Sequence, residues 1–278
     1  MNLDTHQSER SIDVVFPILH GPFGEDGTIQ GLLKLANVPF VGASVLGSAV
    51  GMDKDVMKRL LREAEIPIGK FLTFKEKDIP TYEEAVKNLG LPLFVKPANM
   101  GSSVGVSKVR EKKDFDKAVW EAFKYDRKIL IEEGIKGREI ECSVLGNDNP
   151  IASIPGEVIP NHDFYSYEAK YIDKDGATLE IPAKLSNEII KKIQILTVKT
   201  FKTLSCEGLG RIDFFLKENG DILVNEINTI PGFTSISMYP KLWEASGISY
   251  TELIDRLIQL ALERFKKEKK LKTSYETE

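Results

Sequence analysis

The sequence predicts an α+β protein preceded by a small α/β unit. Between residues 70 and 160, apolar runs of strand length recur with two helical patterns among them, the order expected of antiparallel sheets with helices packed on them. Residues 210–228 read as a hairpin, with a long helical pattern before and after it. Residues 12–42 instead run strand, helix, strand, which requires a crossover between parallel strands.

Taken in order, IDVVFPIL (12–19) is a continuous apolar run, as in a strand buried on both faces of a parallel sheet. The loop GPFGEDG, the helix TIQGLLKLANV and the short strand PFVG complete one β-α-β unit. Nothing upstream supplies the flanking strands that such a strand needs, so residues 1–51 are expected to form a partial Rossmann-like unit. Residues 52–64 predict an amphipathic helix capped by Asp53, with Val56, Met57, Leu60, Leu61 and Ala64 on its apolar face. Strands follow at KFLTF, LPLFVKP, VGVSKV, KILIEEGI, REIECSVLG and ASIPGEVI, with helices at EEAVKNLG and FDKAVWEAF. Residues 186–205 predict a long helix, and SYTELIDRLIQLALERF a last one opened by a capping box of Ser249 and Glu252. The expected division after the first unit is 52–136 and 137–278.

Composition excludes several classes. The chain has 278 residues, 42% hydrophobic and 29% charged, with a net charge of −4, so a nucleic-acid surface with its basic excess is not expected. The basic stretch at 266–270 follows a helix and reads as a solvated C-terminal end favoured by the dipole. No apolar run reaches the ~18 residues of a membrane span, and the polar first residues carry no signal peptide. Cys142 and Cys206 lack any CxxC spacing, so neither a disulfide framework nor a zinc site is expected. The expectation is a cytoplasmic protein without a nucleic-acid or membrane partner.

The hairpin carries the first chemistry. Asn219-Gly220 separates two apolar runs and predicts a two-residue turn. Residues whose numbers sum to 439 then lie opposite one another, setting Glu226 against Asp213 and Asn228 against Arg211, all on one face. Opposed carboxylates repel, and a positive charge between them is called for. Arg211 starts two residues away, whereas two carboxylates and an amide oxygen are hard ligands suited to Mg²⁺. A solvated acidic face is the alternative reading.

FVKPANMGSSVGVSKV (94–109) is a strand, a small-residue loop and a strand, with glycines at 101 and 105 around Ser102 and Ser103. It matches neither the P-loop nor the dinucleotide fingerprint. Its amides can close over an anion, with Lys96 adding a point charge, which reads as a phosphate cover. A ligand-free mobile hairpin is the alternative.

These pieces together resemble the ATP-grasp enzymes and, within them, the D-alanine–D-alanine ligases. The matching stretches are HGPFGEDGTIQG (20–31), MDK (52–54), VKPANMGSSVGVSKV (95–109), IEEGIKGREIE (131–141), FYSYEAKY (164–171), GRIDFF (210–215) and NEINTIPGFTSISMYP (225–240), in the family's order. The resemblance implies an ATP-grasp fold, two α+β units sandwiching ATP, and ATP-dependent ligation of two D-alanines through an acylphosphate for peptidoglycan precursor synthesis. It implies that Asp213, Glu226 and Asn228 hold two Mg²⁺ ions, with Mn²⁺ as a substitute. Lys54, Lys96 and Lys170 would contact phosphates, under a cover formed by Gly101, Ser102 and Ser103. Glu132, Glu133 and Ile135 would meet the adenine edge, and Glu139 the ribose.

By the same resemblance, Arg211 and the Gly232 amide would stabilise the oxyanion of the tetrahedral intermediate. Ser237 and Met238 would hold the second D-alanine's carboxylate, and His20 would lie near the first. Tyr171 would bond to Ser102 and lock a closing loop, and EAKY favours an amine acceptor. The family's initial strand, glycine-rich turn and acidic residue have no counterpart here, which suggests a truncated form, a shortened relative or a site completed by another chain, with a homodimer as the expected assembly. The alternatives in function are a ligase with D-lactate or D-serine as acceptor, and an ATP-binding remnant without turnover.

Overall fold

A computed structural model describes residues 12–160, 177–272 and 274. Helices α1 (Thr28–Leu35), α2 (Val45–Met52) and α3 (Lys54–Glu63) open the chain. Strand β1 (Phe71–Lys75), a 3-10 turn (Glu76–Asp78) and α4 (Tyr82–Leu89) follow. Then come β2 (Leu93–Pro97), β3 (Ser107–Val109), α5 (Lys112–Phe123) and β4 (Lys128–Glu133). Next are β5 (Arg138–Gly146), β6 (Ile151–Ala152), β7 (Gly156–Pro160) and β8 (Ala177–Glu180). Helix α6 (Asn187–Thr203), β9 (Gly208–Leu216), β10 (Ile222–Asn228), α7 (Met238–Ala245) and α8 (Tyr250–Glu268) complete it.

The strands form two antiparallel sheets, ordered β1-β4-β2-β3 and β10-β9-β5-β7-β8, with β6 on β5. In the first, Leu93, Val95, Ile129 and Ile131 alternate onto one face and pack with Phe115, Ala118 and Val119 of α5. The opposite face, carrying Lys96 and Glu132, is left for polar work. In the second, Ile140, Cys142, Ile212 and Phe214 pack against Phe201 and Ile193 of α6. The other face receives α7 and α8 through Tyr239, Trp243, Leu253 and Leu257.

The N-terminal strand is not as expected. Residues 12–19 contribute one parallel bridge, Val15 to Phe40, and Ile12, Ile18 and Leu19 are 64, 41 and 49% exposed. Pro17 explains it. It lacks a ladder donor, and the Ile18 amide bonds back to Phe16 O at 3.0 Å, turning the chain away. Helix α2 was not legible from its glycines; these permit close approach, since a Cβ at Gly47 would stand 2.6 Å from Ser205 O. Asp53 caps α3 as expected, accepting from the amides of Asp55 and Val56 at 3.1 Å. Leu60, expected on the apolar face, is exposed, and Asp55 and Lys58 are buried instead. At α8, Ser249 accepts from the Glu252 amide, but the Glu252 carboxylate goes to Arg256 at 2.6 Å, so only half the box forms. None of the helices among the described residues is long and apolar enough to cross a membrane.

Candidate active site

A cleft of about 560 Å³ opens between the two sheets, within the range typical of small-molecule sites. Six lysines line it (54, 58, 70, 96, 108 and 136) against four glutamates (132, 133, 139 and 226), an excess suited to a polyanion. Phe94, Val106, Ile135 and Phe215 add apolar surface for a flat ring.

Helix α3 delivers one wall. Its Met57 and Leu61 enter the core, while its charged stripe lies against the polar face of the first sheet. Lys128 Nζ clamps Asp53 at 2.6 and 2.7 Å, which fixes the start of the helix. One residue on, the Lys54 amide bonds to Ala98 O, and its Nζ donates to Met100 O at 2.7 Å. The same ammonium lies 3.7 Å from Glu226 Oε2, so Lys54 ties the small-residue loop to the hairpin.

Glu132 projects from the central strand β4 into the floor. Its Oε2 lies 2.6 Å from Lys96 Nζ and its Oε1 3.3 Å from Lys58 Nζ. Burial pushes its carboxyl upward, but the two ammonium groups outweigh that and hold it below the usual carboxylate range. For Lys58 the balance is reversed: burial lowers its pKa despite Glu132. Glu133 Oε1 accepts from the Lys70 amide at 2.7 Å, so its side chain fastens the strand end. In the loop, Ser102 and Ser103 have φ of 54° and 60°, a left-handed pair that costs roughly 1–3 kcal/mol each, and both residues line the cleft. Gly105, at φ 69°, is needed there, because a Cβ would meet Tyr125 at 2.6 Å.

The hairpin sets Glu226 opposite Asp213 and Asn228 opposite Arg211, as expected, by a different route. The turn spans three residues, closing Lys217 on Asp221, so pairs near it sum to 438. A bulge at Asn225, between Val224 and Glu226, restores 439. The charge between the acids also differs from expectation. Arg211 grips both Asp213 oxygens at 2.8 Å and reaches Glu141 at 2.9 Å, while Asn228 Nδ2 donates to Asp213 at 3.1 Å. Burial alone would lower the guanidinium pKa; Asp213 and Glu141 raise it, so it stays charged. The acid pair still fits a divalent cation. Asp213 Oδ2 accepts from both Arg211 and Asn228, but its Oδ1 keeps a second lone pair, and Glu226 lies across from it with Lys54 as its neighbour. Among the described residues no group of three or more His, Cys, Asp or Glu forms a metal cluster, so any ion would need the amide oxygen or outside ligands.

Beyond the hairpin, Ser237 Oγ accepts from the Thr234 amide at 3.0 Å and would lie 2.9 Å from a Cβ at Gly232. The Gly232 amide makes no hydrogen bond among the described residues. Met238 buries its side chain with Val158 and Leu242, which leaves its backbone at the start of α7 for any ligand. His20 Nδ1 lies 3.0 Å from Ile230 O, beside the same turn. Lys170 and Tyr171 lie outside the described residues.

Of the expected residues, Lys54, Lys96, Gly101, Ser102, Ser103, Glu132, Glu133, Ile135, Glu139 and Glu226 line one cleft. Arg211, Asp213 and Asn228 pair beside Glu226 on the hairpin, while His20, Gly232, Ser237 and Met238 gather around the turn that follows it. Three residues escaped the sequence reading. Lys58 is four residues beyond Lys54 on the same helical face, a spacing that could have shown it. Glu141 lies on β5 directly opposite Asp213. Glu25, within the quoted HGPFGEDG, accepts from the Gly21 amide at 2.7 Å. Burial raises its pKa above the usual range, with Gly21 and His20 opposing.

A nucleotide-sized cleft closed by two separate antiparallel sheets is the architecture of the ATP-grasp ligases. A D-alanine–D-alanine ligase C-terminal family model matches residues 60–259, and the corresponding N-terminal model matches residues 1–43. A D-alanine–D-alanine ligase of Oceanobacillus iheyensis is 56% identical over 265 residues, 95% of this chain and 72% of that protein. The structure of the ligase from Coxiella burnetii aligns with a TM-score of 0.85 at 46% identity, covering 94% of this chain and 70% of that one. The Bacillus anthracis D-alanine–D-alanine ligase complexed with ATP aligns with a TM-score of 0.80 at 31% identity, covering 92% and 81%. The chain belongs to the D-alanine–D-alanine ligase family.

Proposed function

We propose that this chain joins two D-alanines at the expense of ATP. A carboxylate oxygen of the first attacks the γ-phosphorus and releases ADP; the neutral amine of the second attacks the acylphosphate carbon, phosphate leaves with that oxygen, and the proton shed by the amine passes to the leaving phosphate or to solvent. The observation that carries this reading is the opposed Asp213–Glu226 pair at one end of a lysine-lined cleft, in a chain of this family. Asp213, Glu226 and Asn228 hold Mg²⁺, or Mn²⁺ in its place, which would neutralise the phosphate charge. Lys54 and Lys96 take phosphate oxygens, and Gly101, Ser102 and Ser103 cover them. Glu132, Glu133 and Ile135 meet the adenine, and Glu139 the ribose. Arg211 and the Gly232 amide stabilise the oxyanion, an effect worth roughly 3–4 kcal/mol per donor. The amides opening α7, with Ser237, take the acceptor's carboxylate, as helix N-termini do. His20 contacts the first D-alanine.

The proposal extends to a cytoplasmic homodimer acting on small molecules, without nucleic-acid or membrane partners, and to subdomains at 1–51, 52–136 and 137–278. Phosphate release with ATP and Mg²⁺ is expected to require D-alanine, to yield D-alanyl-D-alanine, and to stop on chelation. D-Lactate or D-serine in equal competition is expected to give less product than D-alanine. ATP consumption without dipeptide would overturn the reading.

A further inference from the structure

Lys58 has no part in the reaction above, yet its side chain is only 2% exposed and lines the cleft. A lysine is seldom buried so deeply unless its charge is used. Its ammonium touches Glu132 Oε1 from α3, while Lys96 holds Oε2 from the adjacent strand β2. The Phe71 ring lies 5.8 Å from the ammonium and backs it. Glu132 cannot shift with its backbone, because β4 is paired on both sides, Phe71 and Phe94 lying opposite it. The carboxylate's tilt is therefore set by the two cations. Lys96 alone, at 2.6 Å, would draw it toward the phosphate end; Lys58 supplies the opposing pull from another element.

We propose that Lys58 is a positioning residue for base recognition: it holds the Glu132 carboxylate turned so that a lone pair accepts from the exocyclic amino group of a 6-aminopurine. A 6-oxopurine would instead set a carbonyl oxygen against that carboxylate, two acceptors facing each other with no proton between them, the kind of mismatch that discriminates strongly. Lys58 thus sets which purine nucleotide enters, without touching it. The inference rests on the reading of the cleft as an ATP site.

Dissociation constants for ATP and ITP, both with Mg²⁺, test it on wild type, Lys58→Met, Glu132→Gln and the double variant. Wild type is expected to prefer ATP by about 100-fold or more. Lys58→Met, similar in length, is expected to reduce that ratio at least about tenfold through weaker ATP binding. In the Glu132→Gln background the methionine is expected to change the ratio by less than about twofold, because two residues acting through one contact do not add. Lys58→Gln, which keeps a donor, serves if the methionine variant melts below the assay temperature, and its ratio is expected between the two. An unchanged ratio, equal losses for both nucleotides, or additive effects in the double variant would overturn the proposal. So would a wild type that binds ATP and ITP equally. Dipeptide synthesis, measured separately, decides the ligase reading on its own.

Discussion

Gly232 shows what one hydrogen atom in place of a methyl group provides. Its backbone does not need a positive φ, but a Cβ would stand 2.9 Å from Ser237 Oγ and 3.4 Å from Ser237 Cβ. Gly232→Ala is expected to push Ser237, a residue of the proposed acceptor site, off the Thr234 amide and to shift the amide proposed to meet the oxyanion. The KM for the acceptor D-alanine should rise about tenfold, ~1.4 kcal/mol, while the melting temperature stays within about 2 °C of wild type, since a surface-side change of this kind moves stability little. Steady-state kinetics with D-alanine varied will show it; an unchanged KM would remove Ser237 from the acceptor site. At this scale the sequence was informative where a residue broke its local pattern, as Glu226 and Asn228 do at the end of a strand. It was silent on Lys58, because a lysine in a helix looks solvated until Glu132 of a strand 74 positions later is placed beneath it.

Helix α3 depends on Asp53 twice, as cap for two amides and as partner of Lys128 across to β4. Asp53→Ala is expected to cost roughly 1–3 kcal/mol, about 1 from the cap and the rest from leaving the largely buried Lys128 ammonium with Asp55 alone, 3.2 Å away. Asp53→Asn keeps the capping oxygen, so its cost should be lower by about 1 kcal/mol. Urea denaturation of both variants measures the difference; equal losses would show that the cap contributes nothing. Most elements were legible because their periods and turn residues agree. The strand at 12–19 was not, since the apolar run masked the consequence of Pro17. The hairpin was read correctly through two compensating departures. The turn is one residue longer than Asn-Gly suggests, and the bulge at Asn225 returns the acids to the same register. Nothing local in ILVNEIN announces that bulge; it is met from outside, where the Val224 amide bonds to Pro67 O at 2.8 Å.

Across the whole molecule, the two sheets have separate cores, and the ligand cleft lies where they meet. The two cysteines report on the second core. Burial pushes Cys142 up to about 11 and Cys206 up to about 12, Glu207 adding to the latter. A raised pKa keeps a thiol protonated at every pH below it, so at pH 8 about one Cys142 in 1,000 is thiolate. Neither is expected to react with a thiol reagent at pH 8 until the chain unfolds, and both should react in urea. ATP with Mg²⁺ at 100 times its dissociation constant should add ~2.7 kcal/mol, slowing labelling about 100-fold where it proceeds through global opening. Rapid labelling of either thiol in the folded protein would contradict this packing.

Phosphoryl transfer to a D-alanine carboxylate, the step proposed for the cleft and the hairpin acids, is read directly by isotope transfer. D-Alanine carrying ¹⁸O in its carboxylate, incubated with ATP and Mg²⁺ in ordinary water, is expected to give one ¹⁸O-labelled phosphate for each D-alanyl-D-alanine formed. Phosphate whose new oxygen comes only from water would mean that the chain hydrolyses ATP without activating the amino acid, and would contradict the account.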